Sequence, residues 1–210
     1  MDVVEGKDVT IIFDGKRCIH ARRCVMGAPS VFVANVKGDW IHPDTLPADE
    51  VMRVALNCPS GAIRAERKDG GRNEQPPQAN IVMVRENGPL AFNGDLEIAG
   101  QGKMTRVTLC RCGLSANKPF CDNAHIKGGF SASGEPESRD STLAITDLVG
   151  EVKVTPTANG PLMVEGRIEI ESGTGRNVNR TSKVFLCRCG HSANKPYCDG
   201  SHKRVGFVAP

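Results

Sequence analysis

The chain has 210 residues, of which 39% are hydrophobic and only 4% aromatic, and a formal net charge of +3. That length suits two modest domains held by aliphatic packing and by bound metal rather than by aromatic cores. The charge is spread along the chain, with no basic run interleaved with aromatics, which argues against a nucleic-acid partner. The opening stretch MDVVEGKDVTIIFDG is acidic where a signal peptide is basic, and its apolar run is too short to span a membrane. A soluble cytoplasmic protein is therefore expected. Nine cysteines are an odd number, and eight sit at short patterned spacings or beside proline. Metal ligation in a reducing compartment fits this better than disulfide pairing.

Taken in chain order, DVTIIFDG predicts a strand and VFVANVKGDWIHPD a hairpin or loop. PADEVMRVALNC predicts a helix with Pro47 near its start and an apolar stripe at Val51, Val54, Ala55 and Cys58, ended by Pro59. GAIRAER returns as a strand, which makes residues 1–75 a small α+β domain. Its three cysteines, Cys18, Cys24 and Cys58, are arranged as Cys-x5-Cys, a long interval, and Cys-Pro. Residues 68–80, KDGGRNEQPPQAN, are polar, rich in Gly and Pro and without apolar period, and read as a linker.

Beyond the linker the chain repeats itself. NGPLAFNGDLEIAG from Asn87 is echoed by NGPLMVEGRIEIES from Asn159, and CRCGLSANKPFCDNAH (110–125) by CRCGHSANKPYCDGSH (187–202). The offset grows from 72 residues at Asn87 and Asn159 to 77 at Cys110 and Cys187, placing an insertion near GTGRNVNR, where a hairpin tip is expected. Leu90, Phe92, Leu96 and Ile98 alternate with polar residues, as do Leu162, Val164, Ile168 and Ile170. Both runs predict half-buried antiparallel strands, with Asn-Gly supplying the turns. Repeats at 76–135 and 136–210 should pack about a pseudo-twofold axis and share strands.

Each motif carries three cysteines and a histidine within sixteen positions. Cys-x-Cys is a bidentate clamp, and a Cys and His four apart share one face of a helix started by Asp122 or Asp199. Two chemistries fit this donor set. One is tetrahedral zinc; the other is a two-iron, two-sulfide cluster with two thiolates on one iron and a thiolate and an imidazole on the other. The compactness of the motif favours a loop wrapped around a cluster.

The second motif, with Cys187, Cys189, Ser192, Pro196, Cys198, Asp199, Gly200, Ser201 and His202, resembles in full the signature of the mitoNEET-like CDGSH iron-sulfur domain family. The first matches at Cys110, Cys112, Ser115, Pro119, Cys121, Asp122 and His125. There Asn123 and Ala124 replace Gly and Ser, and Asn123 is expected to keep the left-handed turn. The resemblance implies two 2Fe-2S clusters, one held by Cys110, Cys112, Cys121 and His125, the other by Cys187, Cys189, Cys198 and His202. It further implies a β-rich cap, cluster-binding loops with short helices, and an intrachain counterpart of the family's homodimer, here without a membrane anchor. One histidine ligand raises the reduction potential above that of an all-thiolate cluster and makes it depend on pH. Lys118, Lys195, Arg111 and Arg188 either tune the clusters or are simply solvated.

CIHARRC through CPSGAIRAE resembles the divergent single-cluster ferredoxin-like domain that accompanies CDGSH domains in some bacterial proteins. This implies that Cys18, Cys24 and Cys58 hold a 3Fe-4S cluster, or a 4Fe-4S cluster if another ligand such as His20 joins them. The alternative is a fold that keeps its cysteines only as small buried hydrophobes. His42 and His191 are expected to be ordinary surface or packing residues. The fold class is thus α+β, mainly β. Electron transfer to a redox partner protein is the expected function, with cluster storage or donation to an apo-acceptor as the alternative and a zinc-stabilised interaction module as the third. A monomer without membrane or nucleic-acid contacts is expected. No dinucleotide fingerprint, phosphate loop or activated nucleophile is visible, and GQGK (100–103) suits a hairpin turn, so no enzyme is expected.

Overall fold

A computed structural model describes all residues from Met1 to Pro210, and the chain divides into two compact units, Met1–Gln75 and Pro76–Pro210. The first unit contains an antiparallel sheet of β1 (Asp2–Glu5), β2 (Val9–Phe13) and β3 (Ile63–Arg67), with β2 in the centre. Helix α2 (Ala48–Leu56) packs on it because Val51, Val54 and Ala55 fall on one face, and these join Val9, Ile11 and Ile63 in a buried core. Pro47 stands at the helix N-cap, where a missing N–H costs nothing. Phe32 and Ile41 pair across a single antiparallel bridge, the whole of the hairpin expected over 31–44. Two elements lie outside the sequence-based expectations: the edge strand β1, and a one-turn helix α1 (Arg23–Gly27) that carries Cys24. Both are too short to show a period.

The second unit is mainly β and closes into a small barrel. Its strands are β4 (Ile81–Val84), β5 (Leu90–Ile98), β6 (Gly102–Leu109), β7 (Val152–Pro156), β8 (Leu162–Glu171) and β9 (Asn177–Leu186). Within each repeat, a short strand, a long strand and a third strand run antiparallel: β4, β5 and β6, then β7, β8 and β9. The short strands also cross over. β4 pairs in parallel with β8 and β7 with β5, so each lies between the two long strands. Register shifts between Asn93 and Leu96 in β5, and between Glu165 and Ile168 in β8, mark the bends where one short strand gives way to the other. The turns into both long strands use left-handed asparagines, Asn87 at φ 47° and Asn159 at φ 53°. Leu90, Phe92, Leu96 and Ile98 face one shared core together with Leu162, Val164, Ile168 and Ile170, and all eight are buried. The longer β8–β9 turn does not project freely. Gly173 N–H donates to Gly134 O, Thr174 N–H to the Glu135 carboxylate, and the Arg176 guanidinium to Pro136 O, which ties the turn to the connection between repeats. No helix is long and apolar enough to cross a membrane.

Asn80, the last residue of the polar stretch 68–80, is 1% exposed. Its amide group donates to the carbonyls of Leu148, Gly150 and Arg167 at 2.8–3.0 Å, and its oxygen accepts from Asp95 N–H at 2.8 Å. It therefore joins both repeats where the strands exchange. Asn80→Ala should lower unfolding stability by about 3 kcal/mol, because it strands buried backbone groups without partners. A denaturant midpoint equal to that of the parent protein would count against this role.

Candidate metal centres

The third strand of each repeat delivers its cysteines. β6 ends at Leu109 and β9 at Leu186, and each runs directly into Cys-Arg-Cys. Extended backbone sends alternate side chains to opposite sides. The sulfurs of Cys110 and Cys112 therefore lie together, 3.7 Å apart, and those of Cys187 and Cys189 3.6 Å apart. The loops then fold back. Cys110 N–H donates to Pro119 O and Cys121 N–H to Thr108 O, and Cys187 and Cys198 repeat the pattern with Pro196 and Phe185. Buried Ser115 and Ser192 close the loops by donating to Phe120 O and Tyr197 O, both at 2.7 Å.

One-turn helices carry the histidines: α3 (Ala124–Lys127) and α4 (Ser201–Arg204). Asn123, at φ 68°, and Gly200, at φ 85°, take the same left-handed step into them, so the departure from the family signature leaves the turn intact. Asp199 accepts from Ser201 N–H and Ala193 N–H, which holds its carboxyl well below the usual carboxylate range. Asp122 makes the equivalent bonds with Ala124 and Ala116. Nδ1 of His125 lies 3.5 Å from the Cys121 sulfur, and Nδ1 of His202 lies 3.4 Å from the Cys198 sulfur. Each expected set of four is thereby brought into one loop as two pairs. Burial pushes the Cys121 thiol up to about 11, so metal loading must displace protons.

Arg111 and Arg188 are not solvated: each is 1% exposed. Arg111 donates to the carbonyls of Gly88, Arg85, Ala132 and Ser133, and Arg188 to those of Gly160, Thr157 and Pro210. Their guanidinium carbons lie 5.4 and 5.6 Å from the ring centroids of Phe130 and Phe207. Desolvation lowers both pKa values, that of Arg111 to about 10, which leaves it charged at neutral pH. Each cation is also coupled electrostatically to the opposite motif, Arg111 to Cys187 and Arg188 to Cys110. Lys118 and Lys195 instead donate within their own loops, to Ser115 O and Ser192 O. A positively charged side chain between two cysteines suggests surface from sequence alone. Only the carbonyls around it, drawn from distant segments, reveal a core residue.

The two motifs meet back to back through an antiparallel bridge between Cys112 and Cys189. Gly113 (φ 82°) and Gly190 (φ 84°) permit that approach. The surroundings of the two histidines differ. Leu114 and Ile126 are exposed in the first motif, whereas the second carries exposed His191 and Lys203 at those positions.

In the first unit, Cys18, Cys24 and Cys58 line a single cavity of about 580 Å³ with His20, Asn35 and Trp40 among its walls. Cys18 follows a 3-10 turn at Gly15–Arg17, Cys24 sits on α1, and Cys58 lies just beyond α2. Buried Arg17 donates to Ser60 O at 2.8 Å and so ties the segment holding Cys18 to the one holding Cys58. Burial raises the thiol pKa of Cys18 and Cys24, with a further contribution from the charge of Cys58. His42 does not line this cavity.

Two cysteine loops on a small β-barrel and a third cysteine cavity in a separate unit mark a metal-binding chain, and the family matches make it an iron-sulfur protein. Residues 87–126 and 159–203 match the family described as iron-binding zinc finger of CDGSH type, and residues 4–68 match the family described as divergent 4Fe-4S mono-cluster. The chain belongs to the CDGSH iron-sulfur domain family, with two CDGSH domains preceded by a divergent 4Fe-4S domain. It is also similar to proteins named "Uncharacterized protein YjdI" from Escherichia coli strain K12 and from E. coli O157:H7. Each is 33% identical over 63 residues, which is 30% of this chain and 82% of the relative.

A Cβ at position 113 would fall 2.5 Å from the Cys189 carbonyl oxygen, and one at position 190 would strike the Cys112 carbonyl. Gly113→Ala and Gly190→Ala should each cost about 2–4 kcal/mol, from overpacking added to left-handed strain. Denaturation midpoints of the two variants check this, and parent-like values would show that the motifs need no such approach.

Proposed function

We propose that each CDGSH motif holds a 2Fe-2S cluster through three cysteines and one histidine, and that the chain is an electron carrier. The observation that carries this reading is the division of each donor set into two pairs. A tetrahedral metal with bonds of about 2.3 Å to sulfur and about 2.05 Å to nitrogen holds two sulfurs about 3.8 Å apart, and a sulfur and a nitrogen about 3.5 Å apart. The sulfur pairs at 3.7 and 3.6 Å and the sulfur–nitrogen pairs at 3.5 and 3.4 Å each suit one such metal. No three or more His, Cys, Asp or Glu side chains gather around a point for a single ion, which disfavours mononuclear zinc.

A bound cluster of this kind supplies reversible one-electron storage at a potential raised by its imidazole ligand. The chain's own groups do the rest. Arg111 and Arg188, buried and bonded to carbonyls from distant segments, hold the two Cys-x-Cys clamps in place. The half-buried histidines put one end of each site within reach of a docking redox partner. In the first unit, which we read as ferredoxin-like, the cysteine cavity supports a third cluster. The two repeats stand in for the two subunits of a homodimer, and no catalytic step is assigned to the chain. A second reading, delivery of intact cluster to an apo-acceptor, draws on the Cys198 and His202 pair, which is less buried than Cys187 and Cys189.

Anaerobically purified protein should contain about four irons and four sulfides from the two motifs, with three or four further irons if the first unit is loaded. Zinc without sulfide would overturn the redox reading. His202→Cys replaces a neutral donor by a thiolate, so the midpoint potential of that cluster should fall in a redox titration. An unchanged potential would argue against His202 as a ligand. Transfer of intact cluster to an apo-ferredoxin, faster than its release to a chelator, would favour the second reading.

A further inference from the structure

We propose that the first unit holds a four-iron cluster whose fourth protein ligand is the imidazole of His20. This rests on the reading that the unit binds a cluster at all. The argument begins with a count of donors. A four-iron cluster takes one protein donor per iron, ordinarily four thiolates. Residues 4–68 match a four-iron family, yet residues 1–75 contain only three cysteines. One iron therefore needs a donor that is not a thiolate, or the site holds three irons.

The cavity walls narrow the choice. No carboxylate lines the cavity, and Arg22 and Arg23 have no lone pair to offer. Ser60 is buried, and its hydroxyl accepts from Ala62 N–H while lying 3.6 Å from the Cys58 sulfur. The Asn35 amide is a hard oxygen donor, poorly matched to iron held by thiolates. His20 remains. Imidazole suits iron, and its ring lines the same cavity as all three cysteines.

The backbone supports the same assignment. His20 has φ 50° and Arg22 φ 60°, two left-handed non-glycine residues inside the five that separate Cys18 from Cys24. Such conformations are uncommon and concentrate where a ligand or an active group fixes them. They curl the segment around the cavity and leave His20 exposed at its mouth.

The test uses the whole 210-residue chain. Pulsed EPR on reduced protein carrying His125→Cys and His202→Cys, labelled with 15N-histidine, should show a histidine nitrogen coupled to the four-iron signal. His20→Ala should lose one iron per chain and give the paramagnetic oxidised signal of a three-iron cluster. His20→Cys should regain four irons without the nitrogen coupling, which separates loss of a ligand from failure to fold. A four-iron signal without histidine coupling, or one unchanged in His20→Ala, would overturn the proposal. So would a native three-iron cluster, although the reading of the unit as a cluster carrier would survive. A native first unit without iron would sink both.

Discussion

The second unit depends on two guanidinium groups buried between the cysteines they might be expected to serve. A charge taken out of water costs several kcal/mol unless every donor finds an acceptor. Arg111 meets that demand with carbonyls from the turn at Arg85 and Gly88 and from the tail at Ala132 and Ser133. Three segments distant in sequence are thereby fixed to one side chain. Because alternate residues of an extended segment face opposite ways, an arginine turned into the core leaves its flanking cysteines turned together to the other side. Interior packing and metal-site geometry are thus two faces of one three-residue stretch. Arg188 repeats the arrangement in part, with Gly160, Thr157 and Pro210, while its buried Nη1 is left without a partner.

Strand exchange carries the constraint across the repeats. β4 and β7 each pair with a long strand of both repeats, so neither repeat encloses its core alone. Asn80 stitches this exchange with a single buried amide. The backbone bridge at Cys112 and Cys189 then sets the two loops against each other at the end of the barrel. The first unit achieves its cavity by different means, with a curled loop, a one-turn helix and the end of α2 converging on one space.

Much of this was legible in the sequence, for definable reasons. The eight alternating apolar residues from Leu90 to Ile170 gave the long strands, and Asn-Gly gave their turns. The repeated cysteine and histidine spacing marked the residues that each loop brings together, because they lie close in sequence and their geometry is local. What could not be read depends on contacts between distant segments. Asn80 resembles any other residue of a polar linker until its partners at Leu148, Gly150 and Arg167 are known. The crossed pairing of β4 and β7 leaves no periodic trace in strands of four and five residues. Arg111 and Arg188 look like surface charge because their acceptors are backbone carbonyls, which every sequence contains.

In an assembly of identical chains, every substitution appears twice, once at each symmetry-related place. A fused duplicate is free of that rule. Around His125 this chain places Leu114 and Ile126, whereas around His202 it places His191 and Lys203, while the hydrogen bonds that shape the two loops stay matched. One motif therefore presents apolar surface where the other presents polar and cationic surface. Covalent fusion thus lets one scaffold carry two unlike neighbours, a difference that identical subunits could not have.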